Sequence, residues 1–186
     1  MNRLSDLPLV SLDERVWCDD CDVLGVYVCN VCPLVQDIAR RRAPGALVVL
    51  IGCTKAKRGG PGDVLPAASL YSGSLLFRAS LTYARSLRPA AIWVLSAQYG
   101  LVGLGQPVPH YQLSLADQPA AYRGIWGRAV AARFVAAHPG PGRAVFLAGA
   151  TYTDPLRPLL EAAGWLVQEP LRGLSIGQRL RWLQSV

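Results

Sequence analysis

Apolar residues along the chain fall into short runs separated by polar, glycine-rich and proline-rich breaks. One run, Ala46–Ile51, is unbroken for six residues and stops at Gly52. A β-branched and aliphatic run of that kind predicts a strand buried on both faces. Further runs predict strands at Ala90–Leu95, Ala144–Leu147 and Trp165–Gln168. Between them the period lengthens. Leu75, Leu76, Ala79, Leu81, Tyr83 and Ala84 predict a helix over Ser74–Leu87, and further helices are expected over Pro119–Ala137 and Ile176–Gln184. Another helix is expected to run to Ala163, capped by Thr153 or Asp154 with Pro155 in its first turn. The stretch 100–118 follows neither period and is expected to be irregular. Strands alternating with helices predict an α/β domain of three layers. Its sheet would be mostly parallel, of about four or more strands, with helices on both faces and right-handed crossovers. The pattern leaves the strand order open.

Ahead of this body stands the string CDDCDVLGVYVCNVC, with Cys18, Cys21, Cys29 and Cys32 in two C-x2-C knuckles. Four thiolates from one short hairpin suit a tetrahedral structural zinc. The seven-residue spacer is shorter than in common zinc ribbons, so iron or an iron–sulfur cluster stays open. Gly25 is expected to turn the hairpin. After Pro33, Leu34–Arg42 is expected to form a short helix with a basic end. Two regions are expected, 1–37 with the metal knuckle and 38–186 as the α/β domain.

Composition narrows the class. With 52% hydrophobic and 17% charged residues, the chain is expected to fold around a full core. No apolar run approaches the roughly 20 residues that span a bilayer, and the opening residues carry acids where a signal peptide is apolar. A cytoplasmic protein is expected, in which disulfides fit poorly. Charge is uneven: residues 1–37 sum to −5, whereas residues 38–186 sum to +12 with only five acids. A body this basic favours phosphate-rich partners, nucleic acid or nucleotide. The plainer account is an arginine-rich composition that serves no ligand.

In a parallel sheet the carboxyl ends of the strands share one edge, where open α/β folds place their ligands. The exits collected there are Cys53, Thr54, Lys55 and Lys57; Ser96, Gln98, Tyr99 and Gly100; Thr151 and Tyr152; and Glu169 with Arg172. Tyr71 and the run His110, Tyr111, Gln112 are expected to return to the same edge. Hydroxyls, amides, aromatic rings and cations together suit a planar, partly anionic ligand such as a nucleobase or nucleotide. Lys55 or Lys57 would meet phosphate, Tyr99 or Tyr111 would stack, and Gln98 or Gln112 would read a base edge. Cys53, beside Lys55, is a candidate nucleophile or redox centre, although a small residue closing a strand is the commoner role. His110 is the better acid–base candidate of the two histidines, since His138 precedes a Pro-Gly turn and reads as a helix end. The glycines at Gly59, Gly60 and Gly62 follow the lysines, the reverse of a Walker loop, and are expected to form a flap.

The strings IGCTKAK, SLYSGSLLFRAS, WVLSAQYGLV, HYQLSL and GLSIGQRLRWL together resemble a bacterial and phage domain family of unknown function. That family is distantly similar to the YaaA peroxide-stress proteins. The similarity covers roughly residues 46–185, and its most specific part is Leu95–Leu101 with Tyr71, Ser72 and Gly73 upstream. It implies an α/β body and a site made from Cys53, Thr54, Lys55, Tyr71, Ser96, Tyr99, Gly100 and Tyr111. For YaaA-like proteins it also implies DNA binding and a role in oxidative stress. His110 and Gln112 replace a proline and an aspartate expected around Tyr111, which removes an acid from that position.

The leading expectation is a nucleic-acid- or nucleobase-handling protein whose ligand lies at the strand edge, with chemistry at a base or glycosidic bond. Ser96, Tyr99, His110 and Cys53 are its candidate catalytic groups. The alternatives are a non-catalytic zinc-containing module that binds DNA or protein, and a metal or redox protein of oxidative stress.

Overall fold

The computed structural model describes residues 16–18, 23–25 and 45–185, and the chain divides into two compact units, Met1–Pro44 and Gly45–Val186. In the first unit β1 (Val16–Cys18) and β2 (Val23–Gly25) pair antiparallel. Gly25 is a strand residue opposite Val16, where the sequence suggested a turn. Cys18 ends β1, while Cys21, Cys29, Cys32 and the helix expected over Leu34–Arg42 lie outside the described residues.

The second unit is built on a five-stranded sheet in the order β6-β5-β3-β8-β9. Its central strand is β3 (Leu47–Gly52), flanked by β5 (Ala91–Ser96) and β8 (Arg143–Leu147), with β9 (Leu166–Gln168) beyond β8. These four run parallel; β6 (Gly100–Gly103) returns antiparallel beside β5. Val48, Val49, Leu50 and Ile51 are buried, which is why the central strand reads as an unbroken apolar run. Each such side chain contributes about 1.5–3 kcal/mol through burial.

Six helices accompany the sheet among the described residues: α1 (Ala67–Leu70), α2 (Leu75–Ser86), α3 (Ala120–Ala137), α4 (Ala150–Thr153), α5 (Arg157–Ala162) and α6 (Ile176–Ser185). The side chain of Ser74 caps α2 by accepting the Phe77 N–H, and Phe77, Ser80 and Ala84 form its buried face at helical spacing. None of the helices described is long and apolar enough to cross a membrane.

Two expectations are corrected. The stretch 100–118 is not irregular throughout: it carries β6, a 3-10 turn (Leu115–Asp117) and β7 (Pro107–Pro109), which pairs antiparallel with β4 (Val64–Pro66). These strands are only three or four residues long, too short for a period to show. The helix expected to start at Thr153 or Asp154 is broken in two. Gly149 is the N-cap of α4, Thr153 is buried as its last residue, and Pro155, which has no N–H to give, falls in the break before α5.

The strand order sets a switch point in the sheet. The path from β3 through α2 to β5 runs one way across the sheet; the paths from β5 through α3 to β8, and from β8 through α5 to β9, run the other way. With right-handed crossovers this puts α2 on one face and α3 and α5 on the opposite one. Helix contacts follow that division, α2 packing with α6 and α3 with α5. The reversal falls between β3 and β8, so the crevice outside their carboxyl ends is the switch point where doubly wound sheets take ligands.

Candidate functional site

Three strands deliver side chains to this edge. Cys53 follows β3 and continues its pairing, with its N–H donated to the Leu95 carbonyl at 3.0 Å. Ser96 ends β5. Tyr152 stands in α4 just beyond β8, its N–H bonded to the Gly149 carbonyl at 2.9 Å. Tyr71, in the 3-10 turn Tyr71–Gly73, and Tyr111, after β7, come in from outside the sheet.

Their polar atoms form one network. Ser96 Oγ donates to the Tyr111 hydroxyl at 2.9 Å and accepts the Tyr99 N–H at 3.1 Å. The Tyr111 hydroxyl donates to Cys53 Sγ at 3.4 Å and lies 2.9 Å from the Tyr71 hydroxyl. Because Tyr111 has one proton and spends it on sulfur, the Tyr71 hydroxyl is the donor in that last pair. The Tyr152 hydroxyl lies 3.1 Å from the same sulfur. Cys53 therefore sits between two phenols and is a free thiol.

All three phenols are held protonated. Burial above all pushes Tyr71 up to about 12. Tyr111 and Tyr152 rise well beyond the usual phenol range, again through burial first and then through the nearness of Cys53. Lys57 Nζ covers the Tyr111 ring 4.1 Å from its centroid, and the Tyr99 ring meets Tyr111 edge-on at 5.3 Å. Partial burial lowers the Lys57 ammonium below its ordinary value, while Cys53 works in the opposite direction. Among the described residues no carboxylate hydrogen-bonds to this cluster. It holds neutral hydroxyls that satisfy one another, a thiol and, at its rim, a cation.

Of the residues expected at the edge, Cys53, Lys57, Tyr71, Ser96, Tyr99, Tyr111 and Tyr152 are thus brought together. Ser96 is completely buried and its hydroxyl is committed to orienting Tyr111 and the 96–99 turn. Gly100 opens β6 with φ of +69°, a conformation that favours glycine. The remainder stand apart from the network. Thr54 Oγ1 bonds within its own loop to the Ala56 carbonyl. Lys55 is 82% exposed and pairs loosely with Asp117 at 3.7 Å. Gln98 is exposed and donates to the Tyr99 hydroxyl, and Gln112 is exposed. His110 bonds through its backbone to Asp63, and its ring makes no hydrogen bond among the described residues. His138 caps α3, as its position before Pro139 suggested, and accepts the Trp93 indole N–H at 2.8 Å.

The sequence placed Tyr152 among the strand exits without giving it a role, and it did not single out Trp126 at all. Tyr152 had a signal in its place a few residues past a buried strand. Trp126 had none beyond helical spacing; its indole donates to the Ser96 carbonyl at 2.9 Å and its ring packs edge-on against Tyr152. Glu169 and Arg172, the last pair expected at the edge, are taken up by ion pairs with Arg157 and Asp154.

No curated protein and no solved structure matches the chain significantly. A family model does match, over residues 48–185, a span that holds the five-stranded sheet apart from Leu47 and every residue of the network. The chain belongs to that family, a family of unknown function, DUF6884.

Proposed function

We propose that the α/β unit handles a nucleotide or a base within nucleic acid, taken up at the carboxyl edge beside β3 and β8. The observation that carries this reading is the convergence of Cys53, Tyr111 and Tyr152 at the switch point, under the ammonium of Lys57. The half-buried ring of Tyr99 supplies aromatic surface, and the exposed amides of Gln98 and Gln112 supply donors and acceptors. Residues 45–185 carry fourteen Lys and Arg against five Asp and Glu, which draws in phosphate. The similarity of Leu95–Leu101 to YaaA proteins supports DNA as the partner.

The chemistry suited to such a cluster is at a base or its glycosidic bond. A departing base takes negative charge, and the Lys57 ammonium at the rim of the cluster is a cation placed to meet it. The four cysteines, Cys18, Cys21, Cys29 and Cys32, are proposed to hold a structural zinc, on the strength of their spacing and soft donor set.

The test is binding of a short oligonucleotide over a salt series. Affinity should fall steeply with salt, and Lys57→Ala together with Lys55→Ala should flatten the slope by up to about one for each phosphate no longer neutralised. Affinity indifferent to salt and to both substitutions would refute the reading.

A further inference from the structure

We infer that Arg179 is an anion-binding residue of this same edge, poised to take a phosphoryl group. The inference rests on the reading of the edge as a nucleotide site.

The sequence around it fixes its position. Ser175-Ile176-Gly177-Gln178 forms a reciprocal cap at the start of α6: the Ser175 N–H donates to Gln178 Oε1 at 2.9 Å, and the Gln178 N–H reaches Ser175 Oγ at 3.4 Å. The next residue, Arg179, closes the first turn with its N–H on the Ser175 carbonyl. Its side chain then folds back, and Nε donates to the Leu174 carbonyl at 2.8 Å. That bond pins the plane of the guanidinium and leaves the Nη1 and Nη2 protons without a hydrogen-bond acceptor among the described residues.

The pinned group is aimed at the exit of β8. Nη1 lies 3.2 Å from where a Cβ on Gly149 would stand. Glycine at this position leaves room for a cation beside the backbone from which α4, and with it Tyr152, departs. Arg179 is half-buried and has no counter-ion among the described residues. All five acids of residues 45–185 are engaged elsewhere: Asp63 with the Gly60 N–H, Asp117 with Lys55, and Asp154, Glu161 and Glu169 with Arg157 and Arg172. A partly desolvated, preorganised fork with free N–H groups matches the oxygens of a phosphoryl group better than it matches water. Lys57 and Arg179 would then approach the ligand from β3 and from α6 respectively.

The experiment titrates the full chain with inorganic phosphate, a nucleoside and the corresponding nucleoside monophosphate, by calorimetry. Wild type should bind phosphate weakly and the monophosphate more tightly than the nucleoside. Arg179→Ala should weaken phosphate and monophosphate by roughly tenfold or more and leave the nucleoside unchanged. Arg179→Lys should recover part of the loss, since a point charge replaces the planar fork. Gly149→Ala, allowed by a φ of −85°, keeps the arginine but places a methyl in its space, and should weaken phosphate as well. Phosphate affinity that is absent in wild type, or equal in wild type, Arg179→Ala and Gly149→Ala, would overturn the inference. Loss of monophosphate binding in Lys57→Ala but not in Arg179→Ala would overturn it while leaving the edge as the nucleotide site. Arg179-dependent phosphate binding with no preference for the monophosphate would uphold it and count against base recognition.

Discussion

Two polar groups of the α/β unit solve the same problem in opposite ways. After β9, Glu169 is held by Arg157 at 2.9 Å and Arg172 at 3.0 Å, and each arginine also pairs with a second acid, Glu161 or Asp154. Charge there is matched by charge. Outside β3, β5 and β8, three phenols, a serine and a thiol satisfy one another with no charged partner except Lys57, which lies over a ring face and not against a carboxylate. The first group is complete as it stands. In the second, the buried atoms are satisfied but the Lys57 ammonium at its rim has no carboxylate partner among the described residues, a feature consistent with the anionic ligand proposed above.

The sharpest way to break the comparison is at Tyr111, which joins Tyr71, Ser96 and Cys53. Tyr111→Ala should cost about 3–5 kcal/mol of stability through the cavity it leaves. Tyr111→Phe should cost about 1–3 kcal/mol, because Ser96 and Tyr71 lose their acceptor. Urea denaturation measures both. A neutral Tyr111→Phe would mean that the network is incidental.

The two groups should also fail at opposite ends of the pH scale. The folded pKa of Tyr71 is raised to about 12, so its contribution is present below the unfolded value near 10 and is lost as pH climbs through about 12. It is worth up to about 3 kcal/mol, with Tyr111 and Tyr152 adding in the same direction. Glu169 behaves in reverse. Burial alone would raise its pKa, but the nearby Thr153 hydroxyl, then Arg172 and Arg157, hold it below 4.5, so its contribution is present above that value and is lost as pH falls. Melting temperature against pH, in wild type and Glu169→Gln, separates the two: the substitution should flatten the acid limb and leave the alkaline limb intact.

At neutral pH, Glu169→Gln should cost only about 1 kcal/mol, because both arginine partners are about half exposed. Smaller still, Lys55→Ala should change stability by less than about 0.5 kcal/mol, its ammonium being exposed and loosely paired. A substantial loss of stability in Lys55→Ala would mean that the rim cations serve the fold.

Much of this arrangement was legible in the chain. The buried run at Val48–Ile51 shows as an unbroken apolar string because both of its faces are covered. Polar residues after it, and after Leu95, mark strand exits that share an edge. What escaped was geometry fixed by distant contacts. Gly100–Gly103 pairs back on β5 over four residues, too few to show alternation. The bond between Cys53 and Tyr152 spans 99 residues and depends on β8 lying beside β3, which hydrophobic patterning does not encode. His110 and Gln112 looked equivalent to their neighbour Tyr111, yet only Tyr111 is buried in the network. Arg179 was hidden as one of two arginines on an amphipathic helix; the S-x-x-Q cap before it was the signal that its side chain is positioned.

The central claim is that ligand binds at the switch point between β3 and β8. A crystal structure of the full chain with a nucleoside monophosphate tests it most directly. The account predicts the base against Tyr99, and the phosphoryl group within hydrogen-bond reach of Lys57 or Arg179. Well-ordered ligand elsewhere on the unit, with the carboxyl edge holding only solvent, would contradict it.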